Sequence, residues 1–216
     1  MSASPTQGNG RLKSGTPSVG LWLIGVCGGI GSTVALGLEA LRRGLTGPTG
    51  LVSELPEFAG VPLPPTSRIV LGGHEIRQER LVDAVWSWRR EAGLFDPDLI
   101  RACEAGLRTV QRNIRPGTLL GASSTIRALA DSGDHPADRS AAAAVERLTA
   151  DLVEFRRRHR LDTVVVINVS SSEPAAKPAR AQERWSLLTK ALSRRGGSPL
   201  PASSLYALAA IEADCP

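Results

Sequence analysis

The chain has 216 residues, 42% of them hydrophobic, which is enough for a sizeable buried core and excludes a fibrous or wholly disordered polymer. Its net charge of +5 is carried by arginines scattered among acids, with lysine only at Lys13, Lys177 and Lys190, a pattern that argues against a nucleic-acid-binding surface. Cys27, Cys103 and Cys215 are odd in number and lack CxxC spacing, and no apolar run approaches the ~20 residues of a membrane helix. The expectation is a cytoplasmic protein without disulfides, a metal centre or a membrane span.

Residues 1–18 are rich in Ser, Gly, Pro and Thr and predict a disordered tail. The apolar run 19–26 predicts a buried strand, a glycine-rich turn follows, and residues 32–45 carry helical spacing. Gly and Pro in 47–65 predict a loop, and 68–71 predicts a second strand ending at Gly72 and Gly73. Helices are predicted over 81–88 and 98–110, a strand over 119–123, and a long Ala-rich helix over 141–160 with Val145, Leu148, Leu152 and Phe155 on one face. Arg156, Arg157, Arg158, His159 and Arg160 close that helix, where cations complement the carbonyl end of the dipole. A β-branched strand over 163–169 and helices over 182–195 and 203–213 complete the chain. Helices alternating with continuous apolar strands predict an α/β fold: a Rossmann-like domain over 19–216, with a parallel sheet flanked by helices.

The chemistry concentrates at Gly25, Val26, Cys27, Gly28, Gly29, Ile30, Gly31, Ser32 and Thr33, between the first strand and the first helix. Glycines let a backbone approach a pyrophosphate closely, and the N–H groups opening the next helix point at the anion. The spacing is not the usual GxGxxG, and close helix-to-strand packing explains a glycine turn equally well. A P-loop is excluded, because no lysine precedes Ser32 and Thr33 in the turn. A dinucleotide also requires a carboxylate for the adenosine ribose, and two acids compete. Glu54 lies 54 − 31 = 23 residues past Gly31 but within the loop; Glu75 follows the second strand directly, 75 − 31 = 44 residues on, with 47–65 as an insertion. His74 beside it reads as structural rather than as a ligand or base.

Four segments resemble the inositol-3-phosphate synthase family, closest to its prokaryotic branch. They are the glycine turn with Gly31, Ser32 and Thr33; residues 50–58; Gly72-Gly73-His74-Glu75-Ile76, where other members carry Gly-Gly-Trp-Asp-Ile; and residues 161–173 together with 204–213. The resemblance implies a domain that binds NAD, with the glycine turn on the pyrophosphate, Glu75 on the adenosine ribose, and Ser170, Ser171 and Ser172 lining the cofactor. Turn formation and helix capping account for those three hydroxyls equally well. In the family, glucose 6-phosphate is oxidised by bound NAD, cyclised by an intramolecular aldol step and reduced again.

The sequence departs from the family after Asp214, Cys215 and Pro216, where related chains continue into a catalytic domain, and neither Lys177 nor Lys190 matches a family catalytic position. The resemblance therefore implies the cofactor half of a homo-oligomeric synthase, with the catalytic residues elsewhere and no turnover by this chain alone. A non-catalytic cofactor-binding remnant and an NAD-dependent dehydrogenase of another family are the alternatives.

Overall fold

The computed structural model describes residues 17–130, 135–173 and 180–216. At its centre runs β1 (Val19–Ile24), an apolar hexapeptide with parallel neighbours on both sides. One neighbour is β2 (Ile69–Glu75) and the other β4 (Thr163–Asn168); β3 (Ile114–Pro116) pairs with β2, giving the all-parallel order β3-β2-β1-β4. The chain steps one way from β1 to β2 and the other way to β4, so a crevice opens at the carboxyl ends of the strands where the winding reverses.

Side chains alternate across the sheet and feed two cores. Leu23 and Leu71 point toward α1 (Gly29–Arg42), α2 (Leu81–Ala92) and α3 (Pro97–Gln111), where Leu36, Val85, Ile100 and Leu107 close an apolar layer. Trp22, Ile24 and Val164 point the other way, toward α5 (Ala141–His159), α6 (Trp185–Leu192) and α7 (Ala202–Glu212), against Leu148, Leu152, Phe155 and Leu205. Each such leucine, removed from water, contributes roughly 2 kcal/mol. The helix ends follow local chemistry. Asp96 accepts from the N–H groups of Asp98 and Leu99, Ser140 caps α5 through the Ala143 N–H, and Gly93, at φ 66°, terminates α2 in the left-handed conformation.

The structure differs from the sequence expectations at four places. Ser18 belongs to the folded body, because its N–H donates to Asp162 Oδ2 at 2.8 Å and its carbonyl accepts from the Asp162 N–H; the rest of the expected tail, 1–16, lies outside the described residues. The first helix opens at Gly29, so Gly29 and Gly31 lie within its first turn. β2 runs through Gly72 and Gly73 to Glu75: a Cβ on Gly72 would stand 2.9 Å from the Trp22 ring, and one on Gly73 would strike the Leu23 carbonyl. The two glycines thus make room for β1 rather than end the strand. Residues 119–123 form no strand; they turn through Gly121, at φ 74°, into the short α4 (Ser124–Leu129), whose cap is Ser123. The third strand is Ile114–Pro116 instead, at an edge position that tolerates its terminal proline.

Candidate functional site

The turn leaving β1 is held tightly. The Gly25 N–H donates to the His74 carbonyl at 2.9 Å, the Gly28 N–H donates to the Gly25 carbonyl at 3.0 Å, and Gly25 has a φ of 84°. A Cβ there would lie 3.0 Å from the Ser170 Cα, so Gly25 brings the ends of β1 and β4 together. Gly28 is the N-cap of α1 and offers no side chain to the first-turn N–H groups, which leaves the positive end of the helix dipole open to an anion. Gly31 faces inward, and a Cβ on it would collide with the Val26 backbone, so this glycine serves helix-to-strand contact. Ser32 is buried and donates to the Gly28 carbonyl at 2.8 Å, while Thr33 donates to the Gly29 carbonyl at 2.6 Å. Both hydroxyl hydrogens are engaged within the helix.

His74 and Glu75, adjacent on β2, point to opposite faces. The Trp22 Nε1–H donates to His74 Nδ1 at 2.9 Å, which leaves the ring hydrogen on Nε2 to meet Asp151 Oδ2 at 3.1 Å. Burial lowers the His74 pKa, so the ring is neutral and structural. Glu75 is buried beside the glycine turn: Oε2 accepts from the Cys27 N–H at 2.8 Å, and Oε1 accepts from the N–H groups of Ile76 and Arg77 at 2.9 and 3.2 Å. A carboxylate has about four lone-pair positions, so one on Oε2 remains for a hydroxyl donor from outside.

These elements surround a cavity of about 500 Å³ at the carboxyl ends of β1, β2 and β4, within the size range of small-molecule sites. Of the residues singled out in the sequence, Gly25, Gly28, Gly29, Ile30, Glu75, Ser170, Ser171 and Ser172 line it; Gly31, Ser32 and Thr33 do not. Ser170 donates its hydroxyl to Asn168 Oδ1 at 2.7 Å. Whether Ser172 caps a following helix falls on residues 174–179, outside the described residues, as does Lys177. Glu173 accepts from the Ser203 N–H at 2.9 Å, at the opening of α7. Glu54 lies in an exposed 3-10 turn, Val52–Glu54, away from the cavity.

The sequence reading missed Arg77, Trp88, Thr118, Ser203 and Tyr206, which also line the cavity. Arg77 had a signal, since it stands two residues after the candidate acid, and Tyr206 falls within the family-like segment 204–213; Trp88 arrives from a distant helix and had none. Tyr206 accepts from the Thr118 N–H at 2.8 Å, and burial pushes its phenol up to about 12. Burial and the nearby Glu75 push the Cys27 thiol well above its usual range. Both the thiol and the phenol therefore keep their protons near neutrality.

Residues 19–216 match the family model described as myo-inositol-1-phosphate synthase, a model of the NAD-binding part. The chain belongs to this family. The inositol-3-phosphate synthase of Dictyostelium discoideum is 25% identical over 190 residues, 76% of this chain and 36% of that protein. Inositol-3-phosphate synthase 1 of Bacteroides thetaiotaomicron is 25% identical over 220 aligned positions, covering 95% and 48%. Among solved structures, the Caenorhabditis elegans inositol-3-phosphate synthase superposes with a TM-score of 0.74 at 19% identity, over 93% of this chain and 43% of that one. A myo-inositol-1-phosphate synthase-related protein from Thermotoga maritima gives 0.54 at 23% identity, over 90% and 44%. The chain thus spans less than half the length of these relatives and is an NAD-binding domain of the inositol-3-phosphate synthase type. No helix among the described residues is long and apolar enough to cross a membrane.

Proposed function

We propose that this chain holds NAD for an inositol-3-phosphate synthase, with the pyrophosphate against Gly28, Gly29 and the opening of α1. Glu75 would accept a hydroxyl of the adenosine ribose, and Ser170, Ser171 and Ser172 would line the cofactor. The observation that carries this reading is the placement of an uncapped helix start, a buried carboxylate and a serine loop around one cavity at the point where the strand order reverses. Bound there, NAD would supply hydride acceptance and return, the chemistry by which glucose 6-phosphate would be isomerised to inositol 3-phosphate without net oxidation.

The chain's own residues bind and orient. Glu75 fixes the turn through Cys27 while facing the ribose, Gly25 keeps the β1 and β4 ends in contact, and Gly28 and Gly29 admit phosphate oxygens without a Cβ in the way. Stabilising an enolate and a sugar phosphate requires several preorganised cations, and among the described residues lining the cavity Arg77 is the cation present. The catalytic lysines therefore come from a further catalytic region of a cytoplasmic, homo-oligomeric synthase, and this chain alone turns over no glucose 6-phosphate.

Calorimetric titration with NAD tests the reading. Glu75→Ala is expected to weaken NAD by about ten- to a hundredfold, the value of a charge-assisted hydrogen bond. Unchanged affinity in a folded variant would remove Glu75 from the site. Inositol phosphate detected by mass spectrometry from chain, NAD and glucose 6-phosphate alone would overturn the division of labour.

A further inference from the structure

Two residues beyond Glu75 the cavity wall carries a charge of opposite sign. Arg77 Nε lies 3.6 Å from Glu75 Oε1, and Arg77 Nη1 lies 3.7 Å from Glu79 Oε2. The three partners are not equally free. The Glu75 side chain is 4% exposed and tied to three backbone N–H groups, whereas Arg77 and Glu79 are 29% and 30% exposed and meet through one long contact. The Cys27 thiol reaches the Glu79 carbonyl at 3.6 Å, which sets the Glu79 backbone beside the glycine turn.

The charges sum to one negative: two carboxylates against one guanidinium. A ribose carrying free hydroxyls adds no charge to this group and needs only the open position on Glu75. A ribose carrying a 2′-phosphate adds about −1.5 to −2 and needs a guanidinium of its own, because an arginine fork is what accommodates such a phosphate. Arg77 lines that wall and already lies between Glu75 and Glu79.

We propose that Glu79 is a specificity-determining residue: by pairing with Arg77 in the cavity wall beside Glu75, it denies the guanidinium to a 2′-phosphate and keeps the site selective for NAD over NADP. The inference rests on the cofactor placement proposed above. Glu75 alone would repel the phosphate, yet with Arg77 released the pair would be neutral and a guanidinium would be available. Discrimination therefore depends on Glu79 as well as on Glu75, although Glu79 is not among the residues lining the cavity.

The experiment is calorimetric titration of the full chain with NAD and with NADP, for the parent, Glu79→Gln, Arg77→Ala and the double variant. Glu79→Gln preserves shape and removes the charge, and its moderate exposure leaves folding intact, which circular dichroism verifies. Expected is a gain of about tenfold in NADP affinity with NAD affinity unchanged, and the gain disappears in the double variant. Parent chain that binds NAD while Glu79→Gln gains nothing for NADP overturns the role of Glu79 and leaves the cofactor placement standing. A gain that survives in the double variant overturns the role of Arg77. Parent chain that binds NADP as tightly as NAD overturns the selectivity itself, and parent chain that binds neither overturns the placement and this inference together.

Discussion

On the sheet face covered by α1, α2 and α3, Leu23, Leu71 and Leu107 pack in an apolar layer, whereas on the other face the same strands bury Trp22 and His74 in a polar chain. That chain runs from Trp22 through His74 to Asp151, on to Arg147 at 3.8 Å, and to Asp138, which Arg147 grips with two bonds of 2.8 and 3.0 Å. Arg147 also donates to the carbonyls of Pro116 and Gly117, so the polar chain ends by fixing the segment after β3 that leads into Thr118 at the cavity. The contrast teaches how one sheet sets two sides of a site. The apolar face seats the glycine turn by steric contact at Gly31, with the Glu75 carboxylate holding the Cys27 N–H; the polar face positions the opposite wall through directed bonds that depend on one neutral imidazole.

The apolar face is most vulnerable at Gly31. Gly31→Val places side-chain atoms into the Val26 backbone, with an expected loss of at least about 3 kcal/mol and of NAD binding, measured by urea unfolding and calorimetry. Retained stability would mean that helix and strand do not need this contact. Next comes His74→Leu, which leaves the Trp22 N–H without its acceptor and Asp151 without its donor. A cost of about 2–3 kcal/mol is expected, and a neutral outcome would show that the polar chain is dispensable.

A third test separates the faces by pH. The folded His74 pKa lies below its ordinary value, so between that value and about 6.5 the unfolded chain takes up a proton that the folded chain refuses. Stability is therefore full above about pH 6.5 and falls as pH drops below it, by up to about 1.4 kcal/mol per unit. Urea midpoints across this window should slope in the parent and flatten in His74→Leu; an unchanged slope would place the titration elsewhere, with His159, whose pKa burial also lowers, next in line. The smallest effect is expected at Thr33, which the glycine turn and the resemblance put among the cofactor ligands. Its hydroxyl is bonded to the Gly29 carbonyl, so Thr33→Val should change NAD affinity by less than about twofold, and a larger change would bring this side chain into the site.

Much of this was legible in the chain. β1, α5 and β4 declared themselves by apolar runs and helical spacing, because each is long and its pattern local. The glycine turn was legible as chemistry, and adjacency to a strand end favoured Glu75 over Glu54. What escaped was decided by partners far along the chain. Ile114–Pro116 has three residues and pairs on one side, too little for a pattern, while Leu119 and Leu120 imitate a strand but pack beside Gly121. Gly72 and Gly73 read as a stop until Trp22 and Val26 are seen to need their space. Ser32 and Thr33 carry the right hydroxyls, yet their place in the first helical turn directs them to backbone carbonyls.

Trp88 sits on the wall of the cavity. Its indole ring stands 3.4 Å from where a Cβ on Gly29 would be and lines the cavity, whereas Trp22 is buried in the opposite core and Trp185 is exposed on α6. The molecule thus carries a fluorophore at the mouth of its own site. A molecule settling against Gly29 would displace water from that indole, and stopped-flow mixing would time its arrival as a change in emission over the background of Trp22, Trp86 and Trp185.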